Sequence, residues 1–194
     1  PIIVDLNGDG LITVEDVDMK NVIPSLYWGF GNTFTYKNWD LDVFIYSQLG
    51  VDKYNDVYSW TSGRGLGNQT NNMSVYIKDV WHSELNPNGT IPGIAYEMAS
   101  VSLPGGAGTD IGYENSSFVR VRNITLGYNF KPNQLGALSK LLSGIRVYVD
   151  VQNPFTFTGY TGLDPEVNTG GNYKGGKAEY PQTRTFSLGA KLSF

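Results

Sequence analysis

The sequence predicts an all-β chain whose antiparallel strands belong to a transmembrane β-barrel. Three observations predict it: stretches in which apolar and polar residues alternate, connections that are alternately short and long, and an alternating C-terminal stretch that ends on Phe194. Alternation with a period of two puts successive side chains on opposite faces of a strand. No apolar run approaches the roughly 20 residues a membrane helix needs, which excludes helical spans. A barrel strand needs only about 9–11 residues, so a barrel stays open.

Five strands follow from the pattern. In Ser25–Lys37, Leu26, Trp28, Phe30, Phe34 and Tyr36 share one face, with Gly29, Gly31, Thr33 and Thr35 opposite. In Trp39–Leu49, Trp39, Leu41, Val43 and Ile45 oppose Asp40, Asp42, Tyr46 and Gln48. In Ser117–Phe130, Val119 and Val121 alternate with Arg120 and Arg122, then the phase slips and Ile124, Leu126, Tyr128 and Phe130 carry the apolar face. A β-bulge near Asn123 absorbs such a slip. In Gly144–Thr158, Ile145, Val147, Val149, Val151, Phe155 and Phe157 oppose Arg146, Tyr148, Asp150 and Gln152. The last strand, Thr183–Phe194, sets Phe186, Leu188, Ala190, Leu192 and Phe194 against Thr185, Ser187, Gly189, Lys191 and Ser193.

The first two strands meet in a tight turn at Tyr36-Lys37-Asn38, and a modest segment, 131–143, with a helical turn at Leu135–Leu142, joins the third to the fourth. Residues 51–116 and 159–182 form long connections. Compact soluble domains rarely hold loops beyond about 12–15 residues. Outer-membrane barrels do, on the extracellular side only. That rule places 1–24, 51–116 and 159–182 outside the cell and the C-terminus on the periplasmic side. Five strands close no barrel, since the smallest bacterial barrels have about eight. The chain is therefore expected to be a C-terminal segment of a larger barrel. It begins at Pro1 without an export signal, which suggests removal of the true N-terminus by processing or truncation.

Composition agrees. The chain of 194 residues carries 24 Gly, 13 Tyr, 9 Phe and 4 Trp but only 16% charged residues, against about 25% in an ordinary soluble domain. Aromatic girdles and glycine-rich turns account for this in a barrel. A secreted β-sandwich has the same bias; strand length, one-sided long loops and the aromatic C-terminus separate the two. A net charge of −4 argues against nucleic acid as a partner, and the lack of cysteine excludes disulfides and thiolate chemistry.

The sharpest motif is Asp5-x-Asn7-x-Asp9-Gly10-x-x-Thr13-x-x-Asp16. Its spacing is that of a calcium loop, with oxygen ligands from Asp5, Asn7 and Asp9, the Leu11 carbonyl and the Asp16 carboxylate. Calcium takes six to eight hard oxygens in a flexible cage, and alternate residues on a tight loop supply them. Asp16 stands where an EF-hand has Glu, as in dockerin loops. The bland reading is an Asx/Gly turn without metal. A bound Ca2+ here would be structural.

Nothing else points to catalysis. His82 is the only histidine and no nucleophile-elbow pattern accompanies it; it reads as an exposed residue ending a short helix about Met73–Ser83. Asp164 and Glu166 flank Pro165 and read as turn residues rather than a glycosidase pair, whose carboxyls sit about 5–10 Å apart across a substrate. Arg120, Arg122, Arg146, Asp150 and Lys191 fall on the lumen-facing phase, as a solvated network or a polar conduit. Tyr54, Tyr58, Trp60 and Trp81 lie in the longest loop, where stacking on sugar rings and ordinary packing are both open.

Several blocks resemble, in order, the SusC/RagA family of TonB-dependent outer-membrane transporters. They are Asp5–Gly10, Tyr36–Leu41, Phe118–Tyr128, Val151–Tyr160, Gly162–Val167 and Tyr180–Gly189. The weakest stretch is Gly63–Tyr113, where Trp81–Pro87 only loosely echoes the family. The resemblance implies a non-enzymatic importer in the bacterial outer membrane, with the 22-stranded plugged barrel. It implies a SusD-like surface lipoprotein, and a TonB complex reached through an N-terminal plug region that lies outside these residues. Oligosaccharide or peptide fragments are the implied substrates, and outer-membrane lipid the surroundings. The alternative is a soluble secreted carbohydrate-binding β-domain with a dockerin-like calcium loop, although a dockerin has two such loops and this sequence one.

Overall fold

The computed structural model describes residues 4–55, 58, 74–90, 112–167 and 180–194. Among them, seven strands occur: β1 (Leu26–Tyr36), β2 (Trp39–Leu49), β3 (Asp52–Tyr54), β4 (Tyr113–Asn115), β5 (Phe118–Phe130), β6 (Gly144–Thr158) and β7 (Thr185–Ser193). Five form one antiparallel sheet in the order β1-β2-β5-β6-β7, and β3 pairs with β4. The five long strands match the periodicity to within two residues at each end. The β3–β4 pair is new: three polar or aromatic residues on each side, far apart in sequence, carry no alternation to read.

Each strand turns one apolar row outward because the register is in phase across the sheet. Phe34, Leu41, Leu126, Val149 and Leu188 are consecutive partners on one face. Toward the turn end, the row is Tyr36, Trp39, Tyr128, Val147 and Ala190, with the Trp39 and Tyr128 rings edge to face at 4.8 Å. Toward the opposite end, Trp28, Phe30, Phe155 and Phe157 bring aromatics back. From Trp39 to Ser47 the strand covers about 26 Å at ~3.3 Å per residue. An aliphatic band between two aromatic belts, on the order of 25 Å tall, is the outer surface of a membrane barrel.

This apolar face has no protein cover among the described residues. Phe186 is 71% and Leu188 77% exposed, and no second sheet packs on them. The buried apolar side chains are elsewhere: Val51, Phe118 and Tyr160 near the loop end, and Leu142 near the turn end.

The bulge lies one residue before the expected place, and it is double. Phe44 and Ile45 are consecutive on β2, yet their β5 partners are Asn123 and Val121, so Arg122 is extra. Across the next interface, Val121 pairs with Phe155 and Asn123 with Gln152, so Arg122 faces two residues, Asn153 and Pro154. Asn153 takes the left-handed conformation, φ 49, that such an insertion needs and that Asn tolerates. Only the β5 bulge flips the alternation, which is why the second left no trace in the pattern.

The turn end is stitched by polar contacts. Asn129 donates from its backbone to the Asn38 carbonyl at 2.8 Å, and the Asn38 amide reaches Gln134 Oε1 at 2.7 Å. Ser143 donates its N–H to the Ser193 carbonyl at 2.8 Å. Where one helical turn was expected, two short 3-10 turns occur, Pro132–Gln134 and Gly136–Lys140.

Candidate functional site

The polar face of the sheet is crossed by hydrogen bonds between strands. Thr33 and Asn123 both donate to Asp42, at 2.7 and 3.3 Å, and Thr125 donates to Asp150 at 2.6 Å. Arg146 on β6 reaches over β5 to Asp40 on β2 at 2.5 Å, and Asn129 adds a bond to the same carboxylate at 2.6 Å. The crossing needs Gly127 beneath it: a Cβ there would meet Asp40 Oδ2 at 2.6 Å and Arg146 Nε at 2.7 Å. The Phe44 ring likewise lies 3.4 Å from where a side chain at Gly29 or Gly31 would begin.

At the loop end, Arg120 departs from the solvated network expected of it. It is 1% exposed. Its Nη2 donates to both Asp164 oxygens, at 2.8 and 2.9 Å, Nη1 to Glu166 at 2.6 Å, and Nε to Thr156 at 2.9 Å. The Tyr46 hydroxyl donates to the same Glu166 oxygen at 2.5 Å, and the Phe118 ring lies 5.2 Å from the guanidinium carbon. Asp164 also accepts the backbone N–H of Glu166 at 2.8 Å and of Gln182 at 3.0 Å. Burial pushes the Asp164 carboxyl up, but those N–H groups and the guanidinium outweigh it and hold it below the ordinary carboxylate value.

Two further contacts fix the same segment. Lys53 on β3 donates to the carbonyls of Asp164, Pro165 and Val167. Glu114 on β4 accepts from the Thr161 backbone at 2.8 Å and from buried Asn55 at 2.8 Å. Asp164 and Glu166 thus make the turn expected of them, through the Glu166 N–H, and a charge clasp that was not expected. Its signals were present: an arginine in the inward phase of a strand, and two carboxylates flanking a proline. Among the described residues no buried side-chain nitrogen or oxygen lacks a hydrogen-bond partner.

The other candidates separate. Arg122 sits in the bulge, exposed, with Nη1 3.3 Å from Asn153 Oδ1. Lys191 stands opposite Arg146 in register. His82 is exposed beyond a 3-10 turn, Val75–Asp79, and its Nδ1 accepts the N–H of Glu84 and of Leu85. The expected helix from Met73 begins outside the described residues. Tyr54 packs edge to face on Tyr113 at 5.1 Å; Trp81 is exposed; Trp60 lies outside the described residues.

The Asp5–Asp16 segment folds as a closed loop. Asp5 accepts N–H bonds from Gly8 and Gly10, both at 2.7 Å, and Asp9 accepts one from Leu11 at 2.7 Å. Asp16 accepts from Thr13 at 2.7 Å and Leu6 at 2.8 Å. The Thr13 N–H above all holds the Asp16 carboxyl below its ordinary value. The donor set of Asp5, Asn7, Asp9, Leu11 and Asp16 is hard oxygen, as calcium requires. In this arrangement the carboxylates serve backbone N–H groups, and among the described residues no three His, Cys, Asp or Glu side chains are placed to hold a metal ion. Downstream of the loop, Asn21 ties the chain to the sheet, donating to the Gly50 carbonyl at 2.7 Å and accepting from the Asp52 N–H at 2.7 Å.

No family model matches the chain. It is 33% identical over 194 residues to the TonB-dependent receptor SusC of Bacteroides thetaiotaomicron, which covers 98% of this chain and 17% of that receptor. It is 30% identical over 199 residues to the TonB-dependent receptor P3 of Formosa agariphila, covering 98% of this chain and 18% of that one. A solved structure of the RagAB peptide importer in its closed-closed state aligns with a TM-score of 0.66 at 25% identity, over 90% of this chain and 18% of the other. A second RagAB structure has a TM-score of 0.69 at 23% identity, over 95% of this chain and 19% of that one, a likeness of fold. The chain spans less than a fifth of the length of these relatives. By sequence over nearly its whole length and by fold, the chain matches a segment of SusC/RagA-like TonB-dependent receptors, which are outer-membrane proteins.

Proposed function

We propose that the chain is the C-terminal part of the wall and mouth of an energy-coupled importer. β7 is the closing strand of a 22-stranded plugged barrel, and the segments 1–24, 51–116 and 159–182 face the cell exterior. A SusD-like lipoprotein covers the mouth, the TonB complex acts through a region outside this chain, and the cargo is a glycan or peptide fragment. The observation that carries the reading is the uncovered apolar face, aliphatic between aromatic belts, backed by an ordered polar face. The soluble carbohydrate-binding alternative needs a second sheet over Phe186, Leu188 and Leu192, and the described residues supply none.

Deleting the gene for the full-length receptor tests this. Loss of uptake of either oligosaccharides or peptides, with that class left in the medium, supports the reading and names the cargo. Unchanged uptake of both contradicts it.

The Asp5–Asp16 spacing supports a separate proposal, a structural calcium ion bound by Asp5, Asn7, Asp9, the Leu11 carbonyl and Asp16. Bound calcium would protect residues 1–24 from protease, and EDTA would remove the protection. Cleavage that is the same with calcium and with EDTA sinks it.

A further inference from the structure

We propose that Arg120 is a positioning residue that fixes the segment Tyr160–Val167, and with it the approach to β7, against the barrel wall. The proposal rests on the barrel-and-mouth reading above.

The wall side of the contact is rigid. Arg120 lies in β5, which is hydrogen-bonded to a neighbour on both sides. The guanidinium bonds Thr156 of β6 behind it and both carboxylates of the segment in front, while Tyr46 of β2 shares Glu166. One side chain therefore joins β5, β6 and the segment, and through Glu166 also β2. The reach extends to β7: Asp164, held by Arg120, accepts N–H bonds from Glu166 and from Gln182, so one carboxylate holds chain on both sides of the stretch between β6 and β7.

The geometry also explains why the residue is arginine. A planar fork can bind one carboxylate with two bonds, a second carboxylate and a hydroxyl at once; a lysine ammonium on the same stem has no such fixed fork. The electrostatics make the contact decisive for position. Two carboxylates share one cation: Arg120 and Asp164 have almost no water access, and the Glu166 side chain is only 26% exposed. Without the cation they repel each other, and water must enter to solvate them, which moves the segment off the wall.

The test uses site-directed spin labels in the full-length receptor, with cysteines at Leu163, on the segment, and at Leu188, on β7. Both positions are exposed, and the chain has no cysteine of its own. The variants are Arg120→Met, Arg120→Lys, and, for use if the single variant fails to insert, the apolar pair Arg120→Met/Asp164→Leu, which removes both members of the buried ion pair and leaves only the partly exposed Glu166. The proposal expects a motionally narrowed Leu163 spectrum in each inserted variant, with Lys restoring at most part of the immobility, and an unchanged Leu188 spectrum. A Leu163 label as immobile as in the unsubstituted receptor overturns it. Equal loosening at Leu163 and Leu188 also overturns it, because Arg120 would then serve general stability and not position. The readout involves no cargo, so a failed importer assay leaves it intact.

Discussion

Arg120 and Arg146 lie on the same polar face, and each reaches an aspartate from another part of the chain. Arg146 spans three strands of the sheet to Asp40, and its side chain keeps 29% of its exposure. Arg120 leaves the sheet for the loop segment, and its side chain keeps 2%. Water already reaches the Asp40 pair and can replace it when it breaks, whereas water must first enter the site to replace Arg120 at Asp164. The same residue type in the same phase of a strand therefore makes two kinds of contact: one arginine ties strands of the sheet together, the other ties the segment Tyr160–Val167 to the sheet.

Breaking the buried clasp has the largest expected effect. Arg120→Met leaves two carboxylates uncompensated and is expected to cost about 3–5 kcal/mol, read by denaturant unfolding of the inserted receptor. Arg146→Met is expected to cost about 1–2 kcal/mol, between the values for exposed and buried pairs. Equal losses would erase the distinction between the two sites. Gly127→Ala sharpens it: its Cβ displaces the Arg146–Asp40 crossing, so its cost and that of Arg146→Met are expected to be non-additive. Gly127→Ala and Arg120→Met are expected to add.

Acid provides a smaller effect at the clasp. The folded Asp164 pKa lies below its unfolded value, so its contribution is complete above about pH 4 and is lost as pH falls through the folded pKa. The Leu163 label is expected to loosen only below about pH 4, and Asp164→Asn to loosen it already at neutral pH. Loosening of the unsubstituted receptor near pH 6 would point to another group.

The two sites were not equally legible in the sequence. Period-two alternation exposed β1, β2, β5, β6 and β7 because lipid on one side and polar groups on the other demand opposite chemistry of successive residues. It exposed the Arg122 bulge, which inverts the phase. It missed Asn153–Pro154, which preserves the phase, and β3–β4, whose three-residue strands are too short to show a period. The Asp5–Asp16 spacing stands out in the sequence because all its residues are local. The Arg120 clasp was not, since Asp164 and Glu166 are 44 and 46 positions away and only the folded sheet brings them together.

The central claim is that the row from Phe34 to Leu188 faces lipid and the opposite face does not. Nitroxides at Leu188→Cys and Ser187→Cys, neighbours on opposite faces of β7, test it most directly through collisions with oxygen, which favours lipid, and with a water-soluble nickel complex. The account predicts high oxygen and low nickel accessibility at 188 and the reverse at 187. Nickel access at 188 equal to or above that at 187 would contradict it.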